Sequence, residues 1–235
     1  MKLAISLYPS PAASRHPLPS GEGCASKFLH MSKGDDRAQW IRQIATLALL
    51  TAGFHLLQFV ASTALWLRGG SPVIAAFGLD AIVSAVAALL LSIRIRRSYD
   101  NLAAEWKSRV VAYGYIIGAV LSLLLGVSSF LADHRSQRSL LGILLAAVSM
   151  LVVPIAGSYM KVLAVELRNQ TLKDAAVFTF GNSYLSMVLL ISLLLNAGMD
   201  FAWGDALGAL VMVPFLAQKG IQILIEEGSS EYVED

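Results

Sequence analysis

The sequence predicts an all-α membrane protein in which six transmembrane helices form a bundle. Two observations point to this class. Of the 235 residues, 56% are hydrophobic and 14% are charged, whereas a soluble domain carries roughly 25% charged residues. From Trp40 onward the chain also consists of six apolar runs separated by short polar breaks. Each run is long enough for a bilayer crossing, which takes about 20 residues.

The segment before the first run, residues 1–38, differs from the rest of the chain. Its beginning is rich in Pro, Ser and Gly and has no helical period. The apolar patch after Lys2 has about six residues, fewer than the roughly 7–15 of a signal-peptide core. We therefore expect residues 1–38 to be disordered, with Met31 as an alternative initiator.

The membrane domain is expected to occupy residues 39–227, followed by a short acidic tail, residues 228–235. Pro154 lies inside the fourth run and predicts a kink there, because proline removes a backbone hydrogen bond. The six runs are Ile44–Leu67, Pro72–Ile95, Val110–Ala132, Leu140–Leu163, Ala175–Ala197 and Gly204–Ile225.

Two pairs of glycines have the spacing that allows helices to approach closely. They are Gly114 with Gly118 in the third run and Gly204 with Gly208 in the sixth. Small residues four positions apart line one helix face, where a neighbouring backbone can pack. This spacing supports a bundle and indicates nothing further about function.

The Lys and Arg residues near the ends of the runs predict that both termini face the cytoplasm. Eleven of them lie before the first run or at and between the run ends that border the second and fourth breaks, and three lie on the opposite side. Cytoplasmic loops carry the excess of positive charge. We therefore expect a multi-pass protein of a plasma membrane or bacterial-type inner membrane.

Composition also limits the classes of partner and reaction. The net charge of +2 is too small to indicate nucleic acid, and no basic cluster alternates with aromatic residues. The single cysteine, Cys24, excludes a disulfide framework and a zinc site built from cysteines. No crossing carries a nucleophile with an acid–base pair, a phosphate loop or a His-x-x-x-His pair. The sequence therefore predicts a bilayer partner, no tightly bound cofactor and no enzyme.

Asp80 lies in the middle of the second run, in "VIAAFGLDAIVSAVAALLL". An ionised Asp at the centre of a crossing costs roughly 2.5–3.5 kcal/mol on insertion scales, so we expect it to face the interior of the bundle. Ser84 shares its helix face, and Asn182 and Ser186 form a second such pair in the fifth run. Facing each other, the two pairs would offer oxygen ligands to a cation. Alternatively, the serines and Asn182 only bond to neighbouring helices.

Three further polar residues lie in the runs. His55 and Gln58 are in the first run, and His55 has three interpretations: it pairs with Asp80, accepts a proton, or bonds to a backbone carbonyl. Asp205 follows Gly204 at the start of the sixth run. An acid in the first turn suits the positive end of the helix dipole, so we interpret Asp205 as a cap.

Two stretches resemble the cation diffusion facilitator (cation efflux) family. "RGGSPVIAAFGLDAIVSAVAALLLSIRIRR" is similar to the family's first loop and second helix, and "LKDAAVFTFGNSYLSMVLLISLLLNAGMDFAWGDALGALV" to its fifth and sixth helices. The resemblance covers residues 40–227 and agrees with six crossings and cytoplasmic termini. It implies a homodimeric, proton-coupled antiporter that exports a divalent metal ion such as zinc.

The resemblance also implies a metal site with two ligands on the second helix and two on the fifth. On the second helix, Asp80 matches the family's acid, whereas Ser84 stands where another acid is expected. On the fifth, the ligands fall near Phe178 and Asn182, or near Asn182 and Ser186 after a shift of a few residues. The metal ligands implied are Asp80, Ser84 and Asn182, with His55 and Ser186 as additional candidates.

This ligand set departs from the family in its charge. One carboxylate cannot neutralise a divalent ion in a low dielectric, and alcohol and amide oxygens are poor zinc ligands. Only "EEGSSEYVED" follows Ile225, so we expect the family's carboxy-terminal domain, with its metal sensing and part of its dimer contact, to be absent. Two hypotheses remain. One is a divergent proton-coupled cation transporter centred on Asp80, and the other is a non-transporting membrane scaffold with the same fold.

Overall fold

The computed structural model describes residues 22–97, 109–132, 137–199, 201 and 203–231, and every regular element among them is an α-helix. The chain forms two compact units, Met1–Arg37 and Ala38–Asp235. The first helix begins at Glu22, within the segment expected to be disordered. Residues 1–21 and 232–235 lie outside the described residues, so the predictions for both ends of the chain stay predictions.

The prediction of six apolar helices of membrane-spanning length is confirmed. Six helices in the described part of the chain are long and apolar enough to cross a membrane. The chain therefore has the helices of a multi-pass membrane protein, while the orientation of its termini stays a prediction. The helices are α1 (Glu22–Gly69), α2 (Pro72–Arg97), α3 (Arg109–Leu131), α4 (Leu140–Glu166), α5 (Gln170–Met199) and α6 (Gly204–Glu231).

Local signals in the sequence account for several helix ends. Gly70, which separates α1 from α2, has a φ of 66°, a conformation that glycine adopts without steric cost. At the start of α4, the side chain of Ser139 accepts a hydrogen bond of 3.0 Å from the Gly142 amide. Asn169 caps α5 in the same way, accepting from the Leu172 amide at 3.2 Å. These caps bond amide groups that would otherwise have no partner inside the helix.

Glycines bring several helices into close contact. Gly220 of α6 lies against α3, where an added Cβ atom would be 2.7 Å from Cγ1 of Ile116. Gly114 of α3 lies against α2, where a Cβ atom would be 3.1 Å from a methyl carbon of Val83. The helix α2 contacts α3, α5 and α6. This position places the acid of α2 beside residues of three other helices.

The distribution of polarity is that of a protein in lipid. Large apolar side chains such as Leu50, Ile155 and Val211 are exposed along the spans, whereas many polar side chains are buried. A soluble protein rarely exposes apolar surface on this scale. The bundle therefore presents its apolar side chains outward and collects its polar groups inside.

Candidate functional site

Buried polar side chains from all six helices are joined by hydrogen bonds in the interior of the bundle. We call this set the interior polar network. It consists of His55 and Gln58 from α1, Asp80 and Ser84 from α2, Tyr115 from α3, Ser149 from α4, Asn182 from α5 and Lys219 from α6. Each helix thus contributes at least one polar group.

The network contains an ion pair between Asp80 and Lys219. The Lys219 ammonium donates to Oδ1 of Asp80 at 3.0 Å, and the two side chains are 3% (Asp80) and 11% (Lys219) exposed. Both side chains are therefore largely buried, Asp80 more completely than Lys219. A buried pair of this kind neutralises both charges where neither could be hydrated.

Lys219 is held by three further groups. Its ammonium donates a second hydrogen bond to Oδ1 of Asn182. It also lies 5.2 Å from the ring centroid of Tyr115 and 5.3 Å from that of Phe178. The two rings meet nearly edge to face, with centroids 5.5 Å apart. Faces of aromatic rings attract cations, so four groups on three other helices stabilise this ammonium.

Asn182 connects the ion pair to the rest of the network. Because its Oδ1 accepts from Lys219, its Nδ2 is free to donate, and it does so to Oγ of Ser84 at 3.0 Å and to Nε2 of His55 at 3.4 Å. Ser84 also bonds to the hydroxyl of Tyr115 at 2.9 Å. The Asn182 amide therefore links the ion pair to α3 through Ser84 and Tyr115, and to α1 through His55.

The contacts of His55 assign its tautomer. Because Nε2 accepts from Asn182, the ring proton of the neutral imidazole lies on Nδ1, which donates to Oε1 of Gln58 at 2.6 Å. Gln58 in turn donates to Oγ of Ser149 at 2.6 Å, and Ser149 donates to the carbonyl of Leu145. From Lys219 through Asn182, His55, Gln58 and Ser149, each group therefore donates a hydrogen bond to the next one, and the series ends on α4.

The structure brings most of the candidate residues together. Asp80, Ser84, Asn182 and His55 all belong to the network. Ser186 instead bonds to the backbone carbonyl of Asn182 in its own helix, at 3.3 Å. Phe178 contributes the face of its ring to Lys219 rather than a ligand atom. Asp205 lies in the first turn of α6 and is buried.

The sequence analysis missed three residues of the network: Lys219, Tyr115 and Ser149. Lys219 had a signal in the sequence, since it is a basic residue inside the sixth apolar run, opposite in charge to Asp80. Tyr115 and Ser149 had none, because tyrosine and serine are ordinary residues in membrane helices. Only the packing of the helices shows that these two side chains meet the polar groups of α1 and α2.

The network offers few ligands to a metal ion. Among the residues that the structure describes, no group of three or more His, Cys, Asp or Glu side chains lies close enough to hold one. The only carboxylate in the network is bonded to Lys219, and its only imidazole is bonded to Gln58 and Asn182. A cation that takes the place of the Lys219 ammonium must therefore replace its bond to Oδ1 of Asp80.

The chain was also compared with known proteins. No family model matches it, and a search of curated proteins finds no match. The resemblance to the cation efflux family therefore rests on the sequence stretches quoted above.

Proposed function

We propose that the protein is a proton-coupled secondary transporter of cations and that Asp80 and Lys219 form its exchange site. The observation that supports this proposal is the buried ion pair, which joins two helices inside a six-helix membrane domain. Ionisable groups are costly in the membrane interior, and they commonly mark ion pathways and proton relays. The resemblance of the second, fifth and sixth helices to cation exporters agrees with this class.

The exchange follows from charge balance. With Lys219 protonated, the pair carries no net charge, as the low dielectric of the interior requires. A cation that bound to Asp80 would add a positive charge unless the lysine lost its own. Release of one proton from Lys219 restores neutrality. Binding of a cation and release of a proton are therefore coupled at one carboxylate.

The rest of the network has a positioning role in this mechanism. Asn182 fixes the ammonium through Oδ1 and fixes Ser84 through Nδ2. When the ammonium leaves, the same amide oxygen and the hydroxyl of Ser84 are oxygen ligands beside Asp80. The residues that the resemblance implies as ligands thus take that role only after Lys219 has moved. The homodimer that the resemblance implies stays a prediction.

A membrane scaffold is the second candidate function, and one observation favours it. The hydrogen bonds of the network run without a break from Lys219 to Ser149. Satisfied polar networks of this kind can fix one arrangement of helices. On this hypothesis Asp80 and Lys219 hold the bundle together and never exchange partners.

Flux measurements in proteoliposomes distinguish the two functions. Wild-type protein is reconstituted with an imposed pH gradient and tested with a panel of singly and doubly charged cations. We expect a flux that Asp80→Asn abolishes at equal amounts of reconstituted protein. Asp205→Asn is the matched control, because it removes a buried acid outside the network and should leave flux unchanged. Absence of flux for every cation would contradict transport and favour the scaffold.

A further inference from the structure

The groups around the Lys219 ammonium form a site for a particular class of cation. We call these groups the ammonium cage: the carboxylate of Asp80, the amide oxygen of Asn182 and the ring faces of Tyr115 and Phe178. Two oxygens accept N–H bonds, and two rings attract a diffuse positive charge. One carboxylate balances one charge. The cage therefore complements a small, singly charged group that donates hydrogen bonds.

A second location for the lysine side chain lies beside the cage. Lys219 borders a groove of about 550 Å³ between α5 and α6, whose lining includes Asp174, Gln218 and Gln222. At Gly181 an added Cβ atom would lie 3.7 Å from Cε of Lys219, so the missing side chain leaves the lysine stem beside the groove. Lysine side chains are long and flexible, and they commonly move their charge toward a polar edge.

We propose that the ammonium cage binds an external ammonium-type cation, either ammonium itself or a primary alkylammonium, and that Lys219 occupies the cage as a tethered competitor. The transport role of this binding rests on the proposed function. When the external cation enters, the Lys219 side chain leaves the cage and moves into the groove. The charge in the cage stays the same, because one ammonium replaces another.

The same charge balance disfavours a divalent cargo. The cage holds one carboxylate, so a doubly charged ion would leave one uncompensated positive charge in a low dielectric even with Lys219 gone. A cation without N–H groups also could not donate the hydrogen bonds that Asp80 and Asn182 accept from the ammonium. The cage therefore selects by charge, by size and by hydrogen-bond donors.

Chemical rescue of a lysine-free variant tests the proposal without any transport measurement. In purified Lys219→Met, which keeps the length of the stem, the cage is open and Asp80 has lost its counter-charge. We expect methylammonium to raise its melting temperature by about 3–6 °C at about ten times the dissociation constant. Tetramethylammonium at equal ionic strength is the control, because it has no N–H donor.

Each outcome of the rescue experiment decides one point. Stabilisation that disappears in Asp80→Asn/Lys219→Met supports the cage as the binding site. No stabilisation by ammonium or methylammonium would overturn the proposal, and equal stabilisation by potassium would overturn the assignment to an N–H-donating cation. Rescue in a protein without flux would refute only the proposed transport, whereas flux without rescue would refute only the cage.

A second variant keeps the test decisive if Lys219→Met cannot be purified. Lys219→Gln keeps a donor toward Asp80 but is shorter, which leaves room in the cage. Its binding of radiolabelled methylammonium is measured by equilibrium dialysis, beside the same variant with Asp80→Asn. Binding that requires Asp80 supports the proposal, and absence of binding overturns it.

Discussion

Loss of the Lys219 charge should destabilise the bundle more than loss of the Asp80 charge. The two residues share one ion pair, yet their surroundings differ. Lys219→Met leaves a carboxylate that is 3% exposed and too short to reach the surface. Asp80→Asn leaves an ammonium that still bonds to Asn182 and can also move into the groove beside it. The Asp80 carboxylate has no comparable second location for its charge.

The magnitudes follow from the cost of an uncompensated buried charge. Removing one partner of a buried pair costs about 3–5 kcal/mol, and replacing both is often close to neutral. For a chain of this length, about 1 kcal/mol corresponds to roughly 2–4 °C in melting temperature. We therefore expect Lys219→Met to lower the melting temperature by about 6–20 °C. Asp80→Asn should lower it by less, and the double variant should recover most of the loss.

A double-mutant cycle measures this effect. Wild type, both single variants and Asp80→Asn/Lys219→Met are melted in the same detergent, and the coupling is the difference between the double variant and the sum of the single ones. Positive coupling with the larger loss in Lys219→Met is the expected result. Additive losses would show that the two charges do not interact. A larger loss in Asp80→Asn would refute the argument that only the lysine can leave.

Two further predictions concern contacts around the exchange site. Gly220→Ala should destabilise the bundle by about 1–3 kcal/mol, because the new Cβ atom would lie 2.7 Å from Cγ1 of Ile116. The control in the same thermal melt is Gly53→Ala, whose new Cβ atom would meet nothing within 4 Å. It should not destabilise the bundle. Tyr115→Phe should cost about 1 kcal/mol through the lost bond to Ser84. When Tyr115→Phe is added to Lys219→Gln, the dissociation constant for methylammonium should stay within about twofold of that of Lys219→Gln alone, because the ring face stays in place. A larger loss of affinity would show that the cation needs the hydroxyl of Tyr115 and not its ring face.

The helices could be predicted from the sequence because the length of an apolar run is a local property. The predicted starts at Pro72, Leu140 and Gly204 are also the starts of α2, α4 and α6. The helix α2 continues to Arg97, beyond the predicted end at Ile95, because a helix does not stop where its hydropathy falls. Basic side chains in a last turn suit the negative end of the helix dipole.

The site could be predicted only in part. The spacing of Asp80 and Ser84 identified one inward face, and Asn182 was placed on another. The partners of these residues depend on which helices are neighbours, and hydropathy carries no such information. The bond between Ser84 and Tyr115 joins two helices, and the bond between Gln58 and Ser149 joins two others. These contacts required the packed structure.

The ion pair is an exception, because charge balance alone could have found it. Five side chains of Asp, Glu, Lys or Arg fall inside the six predicted runs, and three of them lie within two residues of a run's end. Asp80 and Lys219 are the two that lie deeper, and they are opposite in sign. Charges deep in a membrane domain tend to pair with one another. Acids, imidazoles and hydroxyls can be metal ligands and an ammonium cannot, so a metal-site interpretation of the sequence leaves Lys219 out. A lysine at this depth needs a carboxylate as much as a metal ion does, and the single carboxylate of the network is bonded to it.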